Sequence, residues 1–521
     1  MRQSTLLLVN TIVTYARMTL TVGLGLAATR FLMRALGFED FGLTSVLGAS
    51  GALVVIISDA FTSSTQRHLA YEIGRGDSDR VTIVFNTALA LFVTAGLAVL
   101  LVGSSLSPIV MDVLTIPPGR ERAAFWVFEL TLLNLAISMM AVPFSAIIDA
   151  HQAMVLSAVR DLFFSCAQLA AILLLFKVRG DKLIAYAILT LIARAAVLTL
   201  FALVVIRIFP ESRPKPARFR RKELSHIAAF AGWASLTSLA WQFRSQGSTI
   251  LLNVAFGPIV NSAYAIANQV AGYQQTLGGA IAVAARSATV HIHARGATES
   301  LKSLVLMTCK YTTLVMLLFL VPVQIEISGL LQLWLKDYPA LTPTFVRIAL
   351  IWMVIFPLSA GHRLAALARG NLARYALLMS SFDLLVLIAG AIEFFVLGLA
   401  PVWLLATAAA LTAGQVCTES WYIGYQIGIS FPTWLWRVVR PVLLVAALGL
   451  ISVCPIHYWL DAGLPRLLAV VIASTLVIVP ASWLLALEPW ERNTFRNVAQ
   501  TAYHRTLNRF GRLVTAGSGQ V

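Results

Sequence analysis

The chain has 521 residues, of which 59% are hydrophobic and only 12% charged, with a mean hydropathy of +0.83. A soluble domain carries about 25% charged residues, so this composition excludes a globular protein that covers itself with water-facing surface. The net charge of +16 does not require nucleic acid as a partner, because Lys and Arg collect in the cytoplasmic loops of membrane proteins.

A run of about 20 apolar residues crosses the ~30 Å hydrocarbon core as a helix, and such runs recur along the whole chain, predicting about fourteen transmembrane helices. In chain order they cover 6–33, 43–63, 81–107, 123–148, 153–176, 183–208, 226–256, 262–290, 304–327, 343–361, 375–398, 402–427, 441–457 and 465–487. The runs are continuous and lack the two-residue alternation of membrane barrel strands. The first follows Met1-Arg2 with no small-residue cleavage site, so it is expected to be a retained span. An even number of spans puts both termini on one side. The basic connector (Arg213, Lys215, Arg218, Arg220, Arg221, Lys222) and tail (Arg492, Arg496, Arg505, Arg509, Arg512) put that side in the cytoplasm. The expected location is the bacterial inner membrane.

Six spans precede the connector and six follow it, with two left over, which matches the transporter plan of two parallel halves joined by a cytoplasmic linker. The expected organisation is an N-terminal lobe over 1–208, a linker over 209–225, a C-terminal lobe over 226–427, two extra helices within 428–487 and a basic tail over 488–521. The fold class is all-α polytopic membrane protein, with two pseudo-symmetric six-helix lobes.

A Lys or Arg at mid-membrane costs about 2.5–3.5 kcal/mol on insertion scales. This chain carries Arg17, Arg160, Arg194, Arg244, Arg286 and Lys310 in or near its spans, with Asp59, Glu129, Asp161, Asp383, Glu393 and Glu419. Such groups either line a hydrated cavity or pair with one another. Arg17 and Arg244 lie near the middle of the first helix of each half, where two guanidinium groups could grip a diphosphate bidentately. Against this, Arg160 and Asp161 could neutralise each other, and Arg194, Arg286 and Lys310 could snorkel to an interface. Asp59, Asp383 and Glu419 are candidates for a coupling proton or cation. Spans seven and eight are rich in amides, with Gln246, Asn253, Asn268, Gln269, Gln274 and Gln275. Amides suit sugar hydroxyls, and they also bond helix to helix.

No G-x-x-x-x-G-K-[ST] or H-E-x-x-H motif occurs. Cys166, Cys309, Cys417 and Cys454 sit singly, without metal-ligand spacing. The expectation is no cofactor, no metal and no catalysis, since the outer loops are too short for sugar chemistry.

The stretch Arg244-Ser-Gln-Gly-Ser-Thr-Ile-Leu-Leu-Asn253-Val-Ala-Phe256-Gly257-Pro258-Ile-Val-Asn261, continuing to Asn268-Gln269, resembles bacterial polysaccharide repeat-unit (O-antigen and exopolysaccharide, Wzx-like) flippases. These belong to the multidrug/oligosaccharidyl-lipid/polysaccharide exporter superfamily. Leu331-Gln-Leu-Trp334-Leu335-Lys336 is similar to that family's outer loop, and Gly37-Phe-Glu-Asp-Phe-Gly42 matches more loosely. The resemblance implies two lobes rocking around a central cationic cavity. Its cargo would be an undecaprenyl-diphosphate-linked oligosaccharide moved from the cytoplasmic to the periplasmic leaflet, driven by a proton or sodium gradient. Arg17 and Arg244 would then hold the diphosphate and the amide rows would face the sugars, with a polysaccharide polymerase and export machinery as partners. The alternatives are a lipid II flippase, a drug/cation antiporter of the same superfamily, which usually has twelve spans and an acidic cavity, and, from another class, a membrane polymerase or ligase.

Overall fold

The computed structural model describes residues 2–55, 58–220, 233–370, 373–494 and 496–497; the side chains of 2–16, 54–55, 58–60, 63, 216, 233–235 and 287 fall outside that description. Among the described residues every regular element is a helix. The N-terminal helices are α1 (Arg2–Val55), α2 (Ser58–Arg75), α3 (Ser78–Val113), α4 (Glu121–Met140), α5 (Val142–Ala150), α6 (Met154–Leu174) and α7 (Lys182–Ile208). After the connector come α8 (Trp233–Phe256), α9 (Pro258–Ala294), α10 (Thr298–Leu335), α11 (Thr342–Ile355), α12 (Ala360–Arg369), α13 (Ala373–Phe395) and α14 (Val402–Ile427). The chain continues through α15 (Phe431–Trp434), α16 (Arg440–Trp459) and α17 (Leu464–Ala481).

Each expected span falls on a helix where it is described. Among the described residues ten helices are long and apolar enough to cross a membrane on that ground alone. The difference from about fourteen has a physical origin in composition and continuity. Expected span one and the larger part of span two share α1, which breaks at Gly37 (φ 81°), a conformation open to glycine, while the end of span two falls on α2. Expected spans seven, eight and twelve fall on α8, α9 and α14, where Arg244, the amides and Gln415-Val-Cys-Thr-Glu419 dilute the apolar run. The apolar residues that face outward, among them Leu101 (72% exposed), Val396 (75%), Ile451 (68%) and Leu476 (68%), have no place in water and mark lipid-facing surface. The chain is a multi-pass membrane protein.

The residues form two compact units, one of 1–273, 330–355 and 366–418, the other of 274–329, 356–365 and 419–521. In the first, α3 packs along α4, α4 along α7, and α1 against α4, α6 and α8. Leu43, Leu47, Phe92, Phe128 and Leu132 fill the core there. Without a hydrophobic force between helices in lipid, close contact relies on small residues. A Cβ on Gly103 would meet Leu132 at 2.6 Å, and one on Gly390 would meet Leu404 at 2.5 Å and Leu251 at 2.9 Å. In the second unit α16 packs along α17, with Gly449 against Ile478.

The tightest of these contacts lies between the second limb of α1 and the start of α9. A Cβ on Gly42 would sit 1.8 Å from the Pro258 carbonyl oxygen, while the Ser262 hydroxyl donates to the Phe38 carbonyl. Overpacking costs about 1–3 kcal/mol, and a backbone carbonyl cannot rotate away. Gly42→Ala should therefore lower both the thermal midpoint and the membrane abundance of the protein. Gly48→Ala, with nothing within 4 Å of the added carbon, should change neither, and equal behaviour of the two variants would discount the contact.

Candidate functional site

Arg17, on the first limb of α1, reaches across to α6. Its Nη1 lies 2.9 Å from Asp161 Oδ2, and the other oxygen of Asp161 accepts from Arg160 Nε at 3.0 Å and Nη2 at 2.9 Å. Two guanidinium groups thus share one carboxylate and leave the cluster with one positive charge in excess. Arg17 keeps 34% of its side chain exposed, and Arg160 Nη1 is buried without a hydrogen-bond partner. An excess cation with an unused donor is what a phosphate oxygen requires. Sequence reasoning had Arg160 and Asp161 among the groups that line a cavity or pair, with the option that they neutralise each other or neighbours. The signal for a role was the adjacent Arg-Asp in one span together with a mid-span Arg in another.

Arg244, on α8, is enclosed. Its side chain is 3% exposed and that of Asp383, on α13, 5%. Nη1 donates to Asp383 Oδ1 at 3.1 Å and to the Thr412 hydroxyl on α14 at 3.2 Å. The guanidinium carbon lies 4.2 Å from the ring centre of Trp352 and 5.2 Å from that of Trp241. The glycine contacts of α8, α13 and α14 bring these three groups together. Arg244 Nη2 is buried without a partner. The structure therefore unites a residue read as a diphosphate ligand with one read as a coupling-ion site.

The amides divide. Asn253 accepts from the Thr115 backbone N–H at 2.9 Å and donates to the Thr115 carbonyl at 3.3 Å, tying the end of α8 to the segment after α3. Gln269 accepts from Thr29 at 2.8 Å and donates to the Gly25 carbonyl at 3.3 Å and the Tyr273 hydroxyl at 2.8 Å, joining α9 to α1. Asn268 bonds the Tyr264 hydroxyl. Gln274 is fully buried; it donates to the Met316 carbonyl at 3.4 Å and its Oε1 has no partner. Gln246 is half-buried and Gln275 exposed. Asn261, which sequence reasoning did not rank, is fully buried with neither amide atom bonded.

Of the acidic candidates, Asp59 has a side chain outside the described ones. Glu419, 1% exposed, accepts from the Ser359 hydroxyl and from Arg363 Nη2 at 3.2 Å. His362 and Cys309 are buried close by, with Nδ1 3.6 Å from Sγ. Lys310 pairs with Glu491 at 2.7 Å, both fully buried, and Glu326 pairs with His457 at 2.7 Å and Arg466 at 2.8 Å.

No protein-family model and no curated protein sequence matches this chain. Solved structures do match. The chain is similar to an inward-facing multidrug resistance MATE family transporter of the MOP superfamily, at 15% identity and a TM-score of 0.64, over 79% of this chain and 94% of that one. It is similar to the lipid II flippase MurJ in an inward closed conformation, at 11% identity and a TM-score of 0.66, over 91% of this chain and 98% of that one. A MOP superfamily transporter from Pyrococcus furiosus, described as having a binding pocket of reverse polarity, matches at 14% identity and a TM-score of 0.56, over 79% and 95%. This chain has the polytopic helical fold of those proteins.

Removing one partner of a buried pair leaves an uncompensated charge and costs about 3–5 kcal/mol, whereas replacing both by apolar groups is near neutral. Asp383→Leu should therefore lower the unfolding midpoint sharply, and adding Arg244→Met should restore most of the loss. Additive losses in a double-mutant cycle would show that the two groups do not act as a pair.

Proposed function

We propose that this protein is a flippase that carries an undecaprenyl-diphosphate-linked oligosaccharide repeat unit from the cytoplasmic to the periplasmic leaflet of the bacterial inner membrane. It works by alternating access, driven by a proton or sodium gradient, with no chemical step. The carrying observation is the Arg17–Asp161–Arg160 cluster, in which two guanidinium groups share one carboxylate and a partly exposed cation is left in excess. It suits a diphosphate and disfavours a cationic drug. The shares covered point the same way. The likeness to MurJ takes in 91% of this chain and that to the MATE transporter 79%, which favours the plan with two extra C-terminal helices over the twelve-span antiporter. The connections 114–120, 178–181, 336–341 and 396–401 are short, which weighs against a polymerase or ligase.

In this reading Arg17 meets the diphosphate first, with Arg160 beside it. Arg244 joins only on exchanging Asp383 for a phosphate oxygen. Gln246 and Gln275, whose side chains are not enclosed, are the amides best placed to meet sugar hydroxyls, whereas Asn253, Asn268, Gln269 and Gln274 are engaged in the protein. Glu419 and Asp383 are the candidate coupling groups that can be described. The polysaccharide polymerase and export machinery would take the cargo onward, with both termini cytoplasmic.

Deleting the gene should cause complete polyprenyl-linked repeat units to accumulate on the cytoplasmic face, read by mass spectrometry and a sugar-directed probe on spheroplasts, with loss of surface polymer. Arg17→Ala should reproduce that loss at unchanged membrane abundance, and Arg17→Lys should recover part of it, since an ammonium keeps the charge but not the bidentate fork. Repeat units found on the outer face would sink the proposal. A second reading, with lipid II as the cargo, is favoured by the likeness to MurJ, and accumulated lipid II with lysis would select it.

A further inference from the structure

The interior of the N-terminal helices holds a cavity of about 330 Å³, walled by α1, α4, α6 and α7. It has room for on the order of ten waters at ~30 Å³ each. Arg194 lines it, with Tyr186 and Thr190 from the same helix, Gln168 from α6, and Asn134 from α4. Arg194 is twelve residues past Lys182 in α7, or about 18 Å along the axis. That is too deep to snorkel. The guanidinium carbon stacks 4.3 Å from the ring centre of Phe164, and Tyr186 is the other ionisable side chain that lines the cavity.

Arg194 lacks the acidic partner that several other cations of the spans have. Arg17 and Arg160 have Asp161, Arg244 has Asp383, Lys310 has Glu491, Arg363 has Glu419 and Arg466 has Glu326. Among the described residues no carboxylate lies within ion-pair distance of Arg194. A phenol is neutral near pH 7, and an aromatic face compensates a cation only in part. Arg194 is half-buried, and a charge partly withdrawn from water without a counter-charge is costly, so a mobile counter-ion entering the cavity would be favoured.

We propose that this cavity is a binding site for a small monovalent anion of the halide type, held by Arg194. The amide N–H groups of Gln168 and Asn134, which line the cavity, would complete its donor shell. The remaining volume keeps part of the ion's hydration water. Four helices meet at this point, so occupancy would favour the helix arrangement seen here over any that opens the wall. The site is distinct from the Arg17–Asp161–Arg160 cluster and does not depend on what the protein carries.

The test is equilibrium binding of radiolabelled chloride to the purified full-length protein in lipid nanodiscs, at fixed pH and ionic strength with gluconate as the balancing anion. The expected result is saturable binding of about one chloride per chain, displaced by bromide. Arg194→Gln should weaken it at least ten-fold, Arg194→Lys should keep weakened binding, and Arg17→Gln should leave it unchanged. Should Arg194→Gln fail to fold, Asn134→Leu and Gln168→Leu, which keep the charge but remove donors, should each weaken binding several-fold. Absence of saturable binding by the wild type, full binding by Arg194→Gln or by both donor variants, or loss of binding in Arg17→Gln would overturn the assignment.

Discussion

An ionised side chain in hydrocarbon must find a counter-charge, and most of what is specific about this molecule follows from that demand. Asp383 is joined to Arg244 across α8 and α13, Glu419 to Arg363 across α12 and α14, and Glu326 to Arg466 and His457 across α10, α16 and α17. Each pair holds two or more helices at a defined rotation, because turning either helix by a residue would strand a charge. Attraction between buried ions grows as the dielectric falls, but so does the cost of taking them out of water. Such pairs therefore contribute more to choosing one arrangement than to net stability. A cation stands in excess at Arg17–Asp161–Arg160 and, among the described residues, no carboxylate pairs with Arg194, so an outside anion has something to gain at both places.

Glycine makes the pairing possible. Helix axes in lipid approach closely only where side chains are absent. Gly247 and Gly390 let α8, α13 and α14 close in until Thr412 and Asp383 both reach Arg244. The two tryptophans then cover the guanidinium, Trp352 at 4.2 Å and Trp241 at 5.2 Å, so that one cation is satisfied by a carboxylate, a hydroxyl and two π faces. A ligand that is to engage Arg244 must displace a carboxylate first. A ligand that engages Arg17 need only join one, which makes the two arginines unequal despite their matching positions in the two halves of the chain.

The amide-rich stretch of α8 and α9 shows how far local reading reaches. From its density of Asn and Gln it reads as one polar wall. In three dimensions Asn253 closes on the Thr115 backbone and Gln269 on Gly25, Thr29 and Tyr273, while Gln275 stays exposed. Which way an amide turns depends on which neighbouring helix presents a free carbonyl or hydroxyl, and that information lies more than a hundred residues away for Asn253 and Gln269 alike. The charge of the Arg160–Asp161 pair escapes local reading for a related reason. Next to Asp161, Arg160 looks neutralised, and only the arrival of Arg17 from α1 makes the cluster positive.

What the sequence determined by itself was the solvent and the helices. Apolar runs of spanning length, glycine at the α1 break and the scarcity of charge follow from hydrogen bonding and hydropathy within short segments, so they can be read from neighbours along the chain. The tertiary structure alone decided which carboxylate each buried cation meets, which amides are consumed within the protein, and that Arg194 meets no carboxylate among the described residues. Those outcomes depend on helix rotation and on contacts remote in sequence, to which a local pattern of charge or polarity is blind.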